Sequence, residues 1–455
     1  MATRFATRVA GFAAGTATNG LRPLNAIFFA LIFIAFAIAG YREVTWSAVA
    51  DAQSPMQVLS LAVVDAAGGA ITLAIGLVGV MALFLGLMKV AEAGGLLVII
   101  ARVVRPLMVR LFPEVPAEHP AMGAMILNIS ANVLGLGNAA TPFGIRAMQE
   151  LDKLNPHKGT ATNAMALFLA INTSSVTLLP TGIIALRASL GSIDPAAILP
   201  TTLFATICST AVAIVAAKFY QRFAAAPATG ASGGAGSIAE NGPETDAGGL
   251  ESAAGAYPAY VSWLALAAIA AIVPLTIVYG RAISPWIIPG LIVLLLGFGL
   301  ARGVRVYEVF VEGAKDGFQV ALRIIPYLVA ILVAVGMFRA SGAMAILVQP
   351  LGAVTSLFGL PPEALSMALL RPLSGSGAYG FVASILQDPA IGPDSYTGLL
   401  VSTLQGSTET TFYVLAVYFG AVQVRRVRHA LAAGLTADLV GVIAAVVICS
   451  VLFAA

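Results

Sequence analysis

The chain is 455 residues long, 59% hydrophobic and only 10% charged, with a formal net charge of +3. Soluble globular chains carry about 25% charged residues, so the composition excludes a soluble domain and marks a polytopic, all-α membrane protein. The basic residues are scattered over short loops and leave no footprint for a nucleic acid.

A membrane helix needs about 20 mostly apolar residues. On that measure the sequence predicts nine crossings, at 24–40, 66–88, 161–187, 196–217, 258–279, 283–301, 322–338, 397–420 and 430–453. Arg4, Arg8 and Arg22 precede the first, so a secretory signal is the competing reading there. "FAIAGY" is a poor cleavage site, and the segment reads as retained.

Two further apolar segments are interrupted. Residues 120–149 break at "GLGN" and residues 364–387 break at "PLSGSG". Glycine and proline interrupt a helix there, and each half is too short to span. Both read as re-entrant helical hairpins, which membranes tolerate where protein or a watery cavity satisfies the backbone. The plainer alternative is a pair of buried or interfacial helices joined by a loop. Arg102, Arg105 and Arg110 mark an amphipathic interfacial helix that acts as an anchor.

With the N-terminus inside, 19 of the 24 Lys and Arg residues fall on cytoplasmic segments. The positive-inside rule then fixes a cytoplasmic N-terminus and an extracytoplasmic C-terminus in a plasma membrane. Residues 223–256, rich in Ala, Gly and Ser, read as a flexible cytoplasmic linker. They divide an N-terminal repeat, 1–222, from a C-terminal repeat, 257–455.

The two repeats carry the same parts in the same order. Glu118 with Met122 matches Glu363 with Met367, and Asn172-Thr173-Ser174-Ser175 matches Gln405-Gly406-Ser407-Thr408. The corresponding spans are the second and the seventh crossings. An odd separation gives an inverted repeat, the layout of secondary transporters with a midplane binding site.

Polar residues inside the spans are the candidate site. Asn172, Thr173, Ser174, Ser175 and Thr177 form an uncharged break; Gln405, Ser407, Thr408, Glu409 and Thr410 form a second one with a carboxylate. A charge at the bilayer centre costs roughly 2.5–3.5 kcal/mol, so Glu409 must be protonated, paired, or facing water or ligand. Arg371 is its candidate partner, for ion coupling or as a structural pair. Helix N-termini at the hairpin tips offer backbone donors, joined by Asn128, Asn132, Asn138, Thr141, Ser374 and Ser376. The alternative for the hydroxyl groups is helix–helix packing. Asp65, near a predicted helix start, reads as structural, and Asp438 stays open.

No metal, cofactor or enzyme motif accompanies them. Cys208 and Cys449 lie in apolar stretches, and His119, His157 and His429 lack metal-ligand spacing. No phosphate-binding loop or nucleophile elbow is present.

The segments "HPAMGAMILNISANVLGLGNAATPFGIRAMQELDKLNP" and "AMALFLAINTSSVTLLPT" closely resemble the spore maturation protein A family. "LRPLSGSGAYG" and "STLQGSTETTFYVLAVYFGAV" resemble the spore maturation protein B family. The chain therefore resembles a natural fusion of the two, both within the nucleoside recognition (Gate) domain family. That resemblance implies a permease-like plasma-membrane fold with two Gate repeats, and places the family's role on "INTSS" and "QGSTET". The residues by which nucleoside carriers contact nucleosides are not matched. The expected function is a secondary transporter or facilitator of a small polar or anionic solute, nucleoside-like or dicarboxylate. The alternative is a non-transporting membrane scaffold or regulator of spore or envelope maturation. The expected partners are the lipid bilayer, the solute and a second copy in a homo-oligomer.

Overall fold

A computed structural model describes residues 22–47, 53–135, 137–224, 257–347 and 349–453. The predicted linker lies outside these from residue 225 onward. Among the described residues the chain is helical, without strands; one isolated bridge joins Thr160 to Arg426.

The first half runs α1 (Arg22–Val44), α2 (Pro55–Ala93), α3 (Leu96–Leu111), α4 (Pro120–Val133), α5 (Gly137–Lys153), α6 (Asn163–Thr173), α7 (Thr181–Ser189), a 3-10 turn (Pro195–Ile198) and α8 (Leu199–Tyr220). The second runs α9 (Ala259–Ala301), α10 (Val306–Ala340), α11 (Ala343–Leu347), α12 (Gln349–Ser356), α13 (Pro362–Leu370), α14 (Gly375–Leu386), α15 (Tyr396–Ser407), α16 (Thr411–Ala421) and α17 (Ala430–Phe453). From α2 and from α10 onward the order of parts recurs: a long helix, short helical pieces, a helical pair, a broken helix and a long final helix. Three helices among the described residues meet both length and apolarity for a crossing: Pro55–Ala93, Pro195–Tyr220 and Ala430–Phe453.

Local chemistry sets the starts of these elements. Ser54 and Gln57 form a capping box for α2, and Thr162, Ser374 and Ser395 cap α6, α14 and α15 through their hydroxyls. Such caps satisfy amides that a helix leaves unpaired. Pro120 and Pro362 occupy first-turn positions, where a missing N–H costs nothing.

Residues 258–279 and 283–301 fall within one helical run, α9. Yet Tyr257 N–H donates to Arg102 O and Ser262 Oγ to Val103 O, while Arg302 Nε donates to Gly94 O. A straight helix of that length would extend about 64 Å, so the run doubles back to the corner between α2 and α3. Two expectations, on Asp65 and Arg105, are corrected. Asp65 is exposed within α2 and not near its start. Arg105 does not face outward in the α3 strip; it is buried, 3.0 Å from Glu118.

The corresponding helices α2 and α10 run antiparallel. Gly313 lies against Lys89, Gly317 against Ala82, and Gly336 against Ala66. A β-carbon at Gly317 would stand 2.6 Å from Ala82 Cα, so absent side chains let the backbones meet. The pair α8 and α17 is likewise antiparallel, with Ser209 against Gly441 and Tyr220 against Thr436.

Apolar burial falls into two clusters, each built from both halves. One gathers Met125, Phe168, Ala213, Tyr418 and Ala433; the other gathers Leu77, Ile184, Leu203, Val382, Leu400 and Ile448. Between them along α6–α7, α8, α15–α16 and α17 lie Asn172 to Ser175, Thr206, Ser209, Ser407 to Thr411 and Asp438. That polar layer positions the site.

Candidate functional site: two helix breaks in contact

The breaks after α6 and α15 touch through the backbone. Glu409 N–H donates to Thr173 O at 2.9 Å. Each break is also tied to its own helical pair: Leu178 N–H donates to Val133 O at 2.9 Å, and Phe412 N–H to Pro372 O at 3.1 Å. Broken helices leave carbonyls without intrahelical partners. Here those of Thr173, Ser174 and Thr408 accept from Glu409, Thr210 and Arg371.

Arg371, 6% exposed, closes α13 and reaches into the second break. Its Nη1 donates to Thr410 Oγ1 at 2.9 Å and its Nη2 to Thr408 O. Glu409 Oε2 lies 3.7 Å from Nη2, with half of its side chain exposed. The pair is therefore not sealed. The arginine is spent on holding the break, and the carboxylate looks out of the layer, just before the uncapped N-terminus of α16.

On the first half, Asn132 Nδ2 donates to Asn172 Oδ1 at 3.0 Å, and Asn172 Nδ2 donates to Phe168 O. Asn128, fully buried, donates to Ala140 O at 2.7 Å and to Tyr418 Oη at 3.1 Å. Tyr418 Oη in turn donates to Asn172 Oδ1 at 3.4 Å. This chain crosses from one half to the other. It also leaves Asn128 Oδ1 and, in the second break, Gln405 Oε1 buried without partners.

The remaining predicted residues divide. Thr173 and Ser174 donate to Ala170 O, Ser407 to Leu404 O and Thr177 to Ser175 O, so these hydroxyls are satisfied locally. Ser175 and Thr408 are buried in the layer and Thr141 is half-buried in α5. Ser374 accepts from Gly377 N–H and so occupies the donor it was expected to leave open. Ser376, in the first turn of α14, is exposed. The side chain of Asn138 lies outside the described residues.

Three participants were not named as site residues. Tyr418 shares a face with Thr411, two turns earlier, and that spacing carried its signal. Thr411 donates to Asp438 Oδ2 at 2.6 Å. Asp438 sits on the buried stripe of α17 between Gly434 and Gly441, against which Thr411, Thr173 and Thr408 pack.

The nucleoside recognition (Gate) family model matches residues 74–190 and 321–425. Spore maturation protein B of Bacillus subtilis (strain 168) is 46% identical over 166 residues, covering 36% of this chain and 92% of that protein. Spore maturation protein A of the same strain is 45% identical over 165 residues, covering 36% and 84%. Among solved structures, a doubly substituted CNTnw in an outward-facing state is similar at a TM-score of 0.41 and 13% identity, covering 96% of this chain and 97% of that one. The YdaH transporter of Alcanivorax borkumensis is similar at 0.41 and 15%, covering 94% and 97%.

Proposed function

The chain belongs to the nucleoside recognition (Gate) family, and on that premise we propose that it is a secondary transporter or facilitator of a small polar or anionic solute. One observation carries the reading: two broken helices from antiparallel halves meet at the Glu409–Thr173 hydrogen bond, inside a polar layer between two apolar clusters. Transporters bind at such breaks because unwound backbone and helix ends supply ligands where lipid supplies none.

In this reading residues 1–222 and 257–455 are inverted repeats joined by the linker at 223–256. The chain makes nine crossings, with α9 contributing two, and α4/α5 and α13/α14 are re-entrant hairpins. The α2/α3 corner with Arg102 and Arg302, and the loop with Arg428, face the cytoplasm of a bacterial plasma membrane, and the C-terminus faces out. Glu409 presents charge to the solute, held from behind by Arg371, and Asn128, Asn132, Asn172 and Gln405 present amides. The hairpins move against the broken helices to alternate access. The chain is not an enzyme, and the solute is nucleoside-like or a dicarboxylate.

The direct chain Asn132–Asn172–Tyr418–Asn128 favours a second reading, a scaffold whose polar residues serve packing. A thermal-shift screen of nucleosides and dicarboxylates on the purified chain separates the two. Transport predicts stabilisation by one class, and uptake of that class into proteoliposomes. A flat screen with no uptake overturns it.

A further inference from the structure

Asp438 is the second carboxylate of the polar layer, and the solute site described above does not use it. It is 5% exposed, in the middle of α17. Oδ2 accepts the Thr411 hydroxyl at 2.6 Å; Oδ1 is buried without a hydrogen-bond partner. Gly434 and Gly441, one turn to either side, bring Thr411, Thr173, Thr408 and Ser209 against the helix. Among the described residues no three metal-ligating side chains gather here or elsewhere.

The elements packed on α17 supply little charge. α6 brings no ionisable side chain to it. α8 carries Cys208, Lys218 and Tyr220, α15 carries Tyr396, and α16 carries Tyr413 and Tyr418; none of them hydrogen-bonds to Asp438. The nearest cation along the break is Arg371. It donates to Thr410 Oγ1, and its Nη2 lies 3.7 Å from Glu409 Oε2; the residue after Thr410, Thr411, is the donor to Asp438. A buried carboxylate with one oxygen unpaired is costly as an anion and inexpensive as an acid.

We propose that Asp438 is a proton-binding site whose occupancy is read by the break between α15 and α16. A proton from the aqueous phase adds to Oδ1, forming one O–H bond and taking the side chain from −1 to neutral. No other bond changes, and Thr411 goes on donating to Oδ2. With Asp438 neutral, Arg371 answers to Glu409 alone; with Asp438 ionised, the two carboxylates share it. The proton therefore sets how firmly Glu409 is held at the break. The coupling role rests on the transport reading, but the proton site does not.

Infrared difference spectroscopy against pH on the detergent-purified full chain tests it. A protonated-carboxyl C=O band should be present at neutral pH in the wild type and in Glu409→Gln, shifted in Asp438→Glu, and missing in Asp438→Asn. Its absence from the wild type, or its survival in Asp438→Asn, overturns the proposal. Should Asp438→Asn fail to fold, Thr411→Val serves instead. Losing that donor should raise the pH at which the band disappears by about one unit; an unmoved midpoint overturns the assignment. A band that behaves as expected alongside absent solute uptake removes the transport reading and leaves the proton site standing.

Discussion

Arg187 and Asp394 stand 207 positions apart and meet at 2.9 Å, Nη2 to Oδ1. The guanidinium is fully buried and also donates to Ser192 Oγ and to the carbonyls of Asp194, Pro195 and Pro393. Asp394 accepts in addition from Ser192 Oγ and Ile193 N–H. The contact joins the last turn of α7, the second part of one broken helix, to the segment before the other. At the opposite end the relationship recurs with other chemistry: Arg428 donates to Ala161 O and Asn163 Oδ1, and Ala161 N–H to Arg426 O.

Arg187→Ala should therefore lower stability by about 3–5 kcal/mol, since it strands Asp394 and several carbonyls at once. Asp394→Asn should cost less, because that carboxylate is about one-third exposed. Denaturant or thermal unfolding of the purified variants measures both; equal losses would contradict the burial difference.

Tyr418→Phe should cost about 1–2 kcal/mol, leaving Asn128 and Asn172 each short of a partner. Gly144→Ala should act through the same hydroxyl. A β-carbon there would overlap the tip of the Tyr418 ring, and such overpacking costs about 1–3 kcal/mol. Because both changes disrupt one contact, the double variant should fall short of the sum. A double-mutant cycle on unfolding midpoints checks this.

Glu409→Gln should keep the fold and lose uptake. Its side chain is half-exposed and Arg371 keeps its bonds to Thr410 and Thr408. The unfolding midpoint should stay within about 0.5 kcal/mol of wild type, and proteoliposome flux of the solute found by screening should vanish. Undiminished flux would remove Glu409 from the site.

Acid should destabilise the chain through His429, which precedes α17. Burial first, and then the neighbouring Arg428, pushes its pKa from 6.5 down to about 4. Neither ring nitrogen has a hydrogen-bond partner. The unfolded chain thus takes up a proton below pH 6.5 that the folded chain refuses until about 4, so stability drops as pH falls through that window. His429→Gln should flatten the unfolding midpoint between those values. An unchanged slope would assign the loss to other groups.

Much of this arrangement is legible in the residues themselves. Polar runs inside apolar spans mark both helix breaks, and glycine-containing interruptions mark both helical pairs, because lipid penalises each departure from regular helix. The 430–453 prediction coincides with α17. What escaped is what depends on a partner far along the chain. Tyr418 reads as one aromatic among many until Asn128, 290 positions away, accounts for its hydroxyl. Asp438 looks ambiguous until Thr411 and two glycines enclose it. The two spans predicted at 258–279 and 283–301 already imply a reversal within α9; its tethers to Gly94, Arg102 and Val103 are what no local pattern announces.

The glycine contacts between α2 and α10 carry one more consequence. They fit the halves together by shape, at Gly86, Gly313 and Gly317. Covalent continuity through the linker should then be dispensable for assembly. Two separately made polypeptides, divided between residues 225 and 256, should recognise one another and co-purify as a single two-part protein.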